Sequence, residues 1–66
     1  MYLNGQVLTE DLHFWDHYEH RVPVQIYLEK QHNDIGFVEA ITAYYIKINN
    51  VYYRREFFTF ISRPGY

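Results

Sequence analysis

Cysteine is absent from the 66 residues, so neither a disulfide staple nor a thiolate metal site is available. Glycine occurs three times and proline twice, and the chain contains no Gly-x-Ser-x-Gly run and no glycine-rich phosphate loop. No linker, repeat or low-complexity stretch interrupts the sequence, and one domain over 1–66 is expected. Nor is there a run of about eighteen apolar residues, which a membrane-spanning helix would need. The first residues lack the basic and apolar regions of a signal peptide, so a soluble, cytoplasmic chain is expected. Charge of one sign is also scarce. Six basic against eight acidic residues give a formal −2, which argues against a surface that is basic all over and leaves room for a local basic patch. Protonation of all 4 histidines would reverse the sign, so partner preference should change below about pH 6.5.

What the chain has in excess is aromatic rings: eight Tyr, five Phe and one Trp. So short a chain hides only about 60% of the surface its unfolded form exposes. Without disulfides it must lean on an aromatic-rich core, a metal, or association with copies of itself. The rings exceed what so small a core needs, which places some of them at an interface or a ligand surface.

Strand periodicity is clearest around Asn49-Asn50. Tyr44, Ile46 and Ile48 alternate with Tyr45 and Lys47 before the pair, and Val51, Tyr53, Arg55 and Phe57 alternate with Tyr52, Arg54 and Glu56 after it. Asparagine tolerates positive φ, so two in succession suit a two-residue type I′ hairpin turn. That register sets Ile48 opposite Val51, Ile46 opposite Tyr53, Tyr45 opposite Arg54 and Tyr44 opposite Arg55. Val22 to Leu28 alternates as a half-buried strand, Gln31 to Asp34 is polar enough to turn the chain, and Gly36 marks a bulge or a bend. Phe37 to Ile48 is long for one strand, and it is expected to bend near Ala40 to Ala43 and serve two pairings.

Asn4-Gly5 signals a small hairpin lead-in over residues 1–9. Thr9 followed by Glu10 and Asp11 suits an N-cap hydroxyl and a carboxylate-rich first turn, so a helix is expected over 10–20. On that helix Leu12, Phe14, Trp15 and Tyr18 form one broad apolar side, while His13, His17 and His20 fall within about 60° of one another on the other. A rival strand over His13 to Tyr18 has only its aromatics in support. The coarse fold is thus mainly β: a short helix, then about five strands over 22–62 in a strongly bent antiparallel sheet.

Chemistry is thinly represented. The three histidines share a face at helical spacing but lack the glutamate of the metalloprotease signature, and a solvated helix face explains them as well. Ser62 has no motif around it, and Glu10-Asp11 are accounted for by the helix start, so no catalysis, metal or other cofactor is expected. The hairpin is richer. It sets Tyr45 and Tyr52 beside Lys47 and Arg54, and Tyr44 beside Arg55, the pairing of ring and cation that grips single-stranded nucleic acid. Across one strand pair the same residues also serve simple packing.

Val22-Pro23-Val24-Gln25-Ile26-Tyr27-Leu28, then Gly-Phe-Val-Glu-Ala-Ile from Gly36 and Tyr-Arg-Arg from Tyr53, resembles the bacterial Sm-like RNA chaperone family, Hfq. The likeness runs from about His13 to Ile61. It implies a five-stranded bent barrel that forms a homo-oligomeric ring by edge-strand pairing and binds single-stranded RNA. In that reading Tyr44 stacks a base at the pore, Tyr53, Arg54 and Arg55 occupy the signature's places, and Tyr27 matches a tyrosine on the opposite face. Thr42-Ala43 replaces the family's acidic residue, and Arg-Arg replaces Lys-His. A second reading is a protein-interaction module of SH3-like or Sm-like small-barrel shape, whose surplus tyrosines dock a peptide or partner subunit.

Overall fold

The computed structural model describes residues 2–66. The strands are β1 (Val7–Leu8), β2 (Val24–Leu28), β3 (Gln31–Gly36), β4 (Val38–Ile41), β5 (Tyr45–Ile48), β6 (Val51–Arg54) and β7 (Thr59–Ser62), with one helix, α1 (Asp11–Glu19), between β1 and β2. They form two antiparallel sheets, in the order β1-β7-β2-β3 and β4-β5-β6. The fold is mainly β with one short helix. The sheets meet where β3 gives way to β4 at Phe37, and no closed barrel ladder joins β6 to β7.

Both sheets turn apolar faces to one core. Val24, Ile26 and Phe60 come from one sheet and Val38, Ile46 and Ile48 from the other, all buried. Each such side chain contributes about 1.5–3 kcal/mol by leaving water. Phe14 of α1 closes the core, its ring edge-on to Phe60 at 5.2 Å.

Two hairpins have both turn residues at positive φ, the backbone of a type I′ turn. Asn49 (φ 52) and Asn50 (φ 66) give the expected register from Ile48↔Val51 to Tyr45↔Arg54. The other turn is Glu29 (φ 49) and Lys30 (φ 74), with Leu28 opposite Gln31. The polar stretch Gln31 to Asp34 is therefore strand, not turn; propensity pointed the wrong way because β3 is largely exposed and needs no apolar residues. Gly36 is explained by a neighbour. A Cβ there would lie 2.6 Å from Asn49 Oδ1, and the Asn49 amide donates to Ile35 O (2.9 Å) and Asp34 Oδ2 (3.1 Å), tying the turn to the bend.

Phe37 to Ile48 is not one bent strand. It reverses at Ala43-Tyr44, held by Thr42, whose N–H donates to Tyr45 O (2.9 Å) and whose Oγ1 accepts from Tyr45 N–H (2.9 Å). The helix also differs from expectation. Glu10, not Thr9, is the N-cap, and His13 Nδ1 accepts from the N–H groups of both Thr9 (3.1 Å) and Glu10 (3.2 Å). Its C-terminus closes with Val22 N–H donating to His17 O (3.1 Å) around Arg21 at φ 54. The buried face is Phe14 and His17, leaving Leu12, Trp15 and Tyr18 exposed. Of the expected apolar side, only Phe14 enters the core, and the other three residues face outward. Phe14 and His17, three apart, are neighbours on a helix, and the imidazole is buried with both ring nitrogens hydrogen-bonded.

The lead-in joins the sheet. Asn4-Gly5 forms a turn, with Gln6 N–H donating to Leu3 O (3.0 Å), but only its second arm is a strand, and it pairs with β7. Position 1 lies outside the described residues.

Candidate nucleic-acid interface

A cleft of about 200 Å³ is lined by Ala43, Tyr44, Arg54, Arg55 and Glu56. The β4–β5 turn supplies the first two and the end of β6 the rest. The hairpin register brings them together, because Arg55 N–H donates to Tyr44 O at 2.8 Å, one step beyond Tyr45↔Arg54.

The two arginines point to different work. Arg55 Nη1 lies 2.6 Å from Asp11 Oδ1 and donates to Thr42 O (2.9 Å), with the guanidinium 4.9 Å from the centre of the Phe14 ring. Its side chain is only 17% exposed, so its main commitment is to hold the helix start against the β4–β5 turn. Arg54 is 42% exposed, sits over the rings of Phe57 (5.4 Å) and Tyr45 (5.9 Å), and has Nε 2.7 Å from Glu56 Oε1. That approach lies off the N–H direction, so it is charge attraction without a well-formed hydrogen bond. Both partners are substantially exposed, and such a pair is worth about 1 kcal/mol or less.

Tyr44 is 67% exposed. Its ring lies over neither guanidinium among the described residues, so it is an open face beside a cation, not a stacked pair. Tyr53 is buried in the core, edge-on to Phe58, with its hydroxyl donating to Asp34 Oδ2 (3.3 Å). It offers no surface for stacking. Burial raises its pKa, and Asp34 in turn is held below the usual carboxylate range, chiefly by the Asn49 amide. Tyr27 is half-buried and does not line the cleft. It lies edge-on to His32 on the outer face of the four-stranded sheet, where Arg63 Nε donates to Gln25 Oε1 (2.6 Å) and the Gln25 amide to His32 Nδ1 (2.8 Å).

The three histidines do not converge, and among the described residues no cluster of metal-binding side chains occurs. His13 is a capping acceptor, while His17 is wholly buried. Because a carbonyl only accepts, His17 Nδ1 carries the proton donated to His13 O (2.7 Å), and Nε2 accepts from the Ser62 hydroxyl (2.7 Å). Burial lowers its pKa. Tyr2 stacks edge-on to that imidazole at 4.4 Å and donates to Asp16 Oδ2 (2.6 Å), which pushes the Tyr2 pKa up to about 12. Ser62 is sealed at 0% exposure, so this Ser–His contact cannot meet a substrate.

Asp11 and Glu56 escaped the sequence reading as parts of the site. Asp11 had a sufficient explanation at the helix start, and no local pattern links it to an arginine 44 positions away. Comparison with protein-family models, with curated proteins and with solved structures returns no match for this chain. Among the described residues, no helix is long and apolar enough to cross a membrane.

Proposed function

We propose that this is a non-enzymatic, Sm-like small barrel of the cytoplasm that grips single-stranded RNA at the cleft between the β4–β5 turn and the end of β6. Tyr44 stacks a base, Arg54 meets the phosphate, and Arg55 holds the two walls in place. The observation that carries this reading is the convergence of an exposed phenol ring and a partly exposed arginine side chain on one cleft. Stacking on an open ring contributes about 1–3 kcal/mol per base whatever the base. Phosphate neutralisation adds a term that weakens as salt rises. The resemblance of the Val22 to Leu28 and Tyr53 to Arg55 runs to the Hfq family supports the same reading, as does a bent pair of sheets around a single core. Tyr27 on the outer face is a second contact in this scheme.

Titration of a fluorescent oligouridine at several salt concentrations tests it. Affinity should fall with salt and fall again in Arg54→Ala and Tyr44→Ala. Unchanged binding in both variants overturns the reading. The competing reading, a protein-interaction module, draws its support from α1, where Leu12 (66%), Trp15 (46%) and Tyr18 (44%) are exposed together. Trp15→Ala that abolishes capture of a protein partner while sparing oligouridine binding would favour it.

A further inference from the structure

β7 has no free edge. β2 pairs with one side through Val24↔Ser62 to Tyr27↔Thr59, and the chain's own N-terminal segment covers the other. There Gly5 N–H donates to Ser62 O (2.8 Å), Ser62 N–H donates to Gln6 O (2.8 Å), and Val7 and Leu8 lie opposite Ile61 and Phe60. Leu8 is buried in the core, so this strand is part of the fold. Of the remaining outer edges, β1 is two residues long, β4 packs against α1, and β3 presents the exposed polar residues Gln31, His32 and Asn33, with the Asn49 amide on Ile35 O. The outer edge of β6 is open and carries exposed apolar residues instead, Val51 (47%) and Tyr52 (56%).

Antiparallel pairs alternate between hydrogen-bonded and open. Since Arg55 N–H reaches Tyr44 O, the hydrogen-bonded pairs are Ile46↔Tyr53 and Ile48↔Val51, and the N–H and C=O of Tyr52 point outward. Arg54 O is already taken by the N–H groups of Phe57 (3.1 Å) and Phe58 (3.2 Å). Asn50 N–H is taken by Glu39 Oε1 (3.1 Å). Tyr52 is therefore the residue on this edge with donor and acceptor both unclaimed.

We infer that the β6 edge is the docking site for a second copy of this chain, β6 against β6 antiparallel about Tyr52. In that register each Tyr52 exchanges both backbone bonds with its counterpart, and the two phenol rings meet on one face. Arg54 lies opposite the second copy's Asn50, beside the Glu39 carboxylate that sits on that residue's N–H, and two-fold symmetry repeats this charge pair. Centring on Arg54 would instead set like charges together. With β7 closed, copies cannot add end to end through that strand, so the contact is isologous and stops at a dimer.

Light scattering of the RNA-free full chain should give twice the mass of one chain. Tyr52→Pro removes the outward N–H while leaving the β5–β6 ladder, whose bonds lie on the other side, and should weaken the dimer about tenfold or more. Independently of how that variant folds, Tyr52→Cys in this cysteine-free chain should oxidise to a covalent dimer far faster than the exposed control Glu56→Cys, because facing Cα atoms in such a pair are about 5.5 Å apart. Glu39→Arg and Arg54→Glu should each weaken the dimer, and the double variant should restore it. A monomer at the highest concentration reached, a larger assembly, or equal oxidation of both cysteine variants overturns the inference.

Discussion

Arg54 and Arg55 are adjacent in sequence and belong to different parts of the molecule. Arg55 faces inward, with a carboxylate, a carbonyl and a ring around its guanidinium, and the hairpin has aimed it at the helix start. Arg54, one step along the pleat, faces out over two aromatic rings with an exposed carboxylate for company. Alternation alone separates them. One cation is spent on the fold and the other is available to a ligand, although the sequence offers them as an equivalent pair.

Breaking the inner member should have the largest effect. Arg55→Ala loses the Thr42 carbonyl contact, the Phe14 ring contact and the Asp11 pair. The Asp11 carboxylate is 73% exposed, so that pair contributes least. Together the losses should cost about 2–3 kcal/mol in urea denaturation. Arg54→Ala should cost under about 0.5 kcal/mol by the same measurement. Equal losses would mean the two arginines are not divided in this way. Any fall in RNA binding by Arg55→Ala then has to be read at a temperature where the variant is still folded.

The outer side is sharpened next by Tyr44→Ala. A ring at 67% exposure at a turn contributes little to folding, yet its removal should weaken oligouridine binding about tenfold, read by fluorescence anisotropy. A stability loss without a binding loss would turn Tyr44 into a packing residue and leave the cleft without its stacking face.

How much of this was legible beforehand follows the range of the interactions. The Asn49-Asn50 turn and the register from Ile48↔Val51 to Tyr45↔Arg54 are local, and two asparagines between alternating runs are enough to fix them. The Glu29-Lys30 turn was not legible, because neither residue is a habitual occupant of positive φ; the strands on either side impose it. The reversal at Ala43-Tyr44 has only Thr42 to announce it. The orientation of α1 was misread because a hydropathy face assumes that the most apolar residues go inward. Here Ser62, 45 positions away, gives His17 a hydrogen bond that lets it be buried instead.

That histidine supplies the next prediction. With its pKa lowered by burial, the unfolded chain binds a proton more readily than the folded one as pH drops below about 6.5. Stability contributed by neutral His17 is therefore complete above that pH and declines below it, by at most about 1.4 kcal/mol per pH unit, until the folded pKa is passed. The His13 carbonyl and the Asp16 carboxylate, which favour the protonated ring, moderate the slope, and the charge of His13 works against them, while Tyr2 packs edge-on against the same ring. Urea midpoints between about pH 5 and 8 should show this decline in the wild type and a shallower one in His17→Gln, which is less stable throughout. An identical pH profile in both would clear His17 of the effect.

The smallest expected change is a gain. Glu56 holds a carboxylate 2.7 Å from Arg54 Nε inside the cleft, where an RNA phosphate would have to compete with it. Glu56→Gln keeps the size of the side chain and removes the charge. Because the pair is exposed and poorly aligned, folding should change by under about 0.5 kcal/mol. Oligouridine binding should tighten a few-fold at low salt, and the gain should shrink as salt rises, since the carboxylate's repulsion of the backbone is screened over about 10 Å at 0.1 M ionic strength. In an Arg54→Ala background the substitution should do less, because the competition it relieves no longer exists. A gain of the same size there would mean that Glu56 acts on RNA only through the net charge of the chain, and that Arg54 is as much a part of the fold as its neighbour.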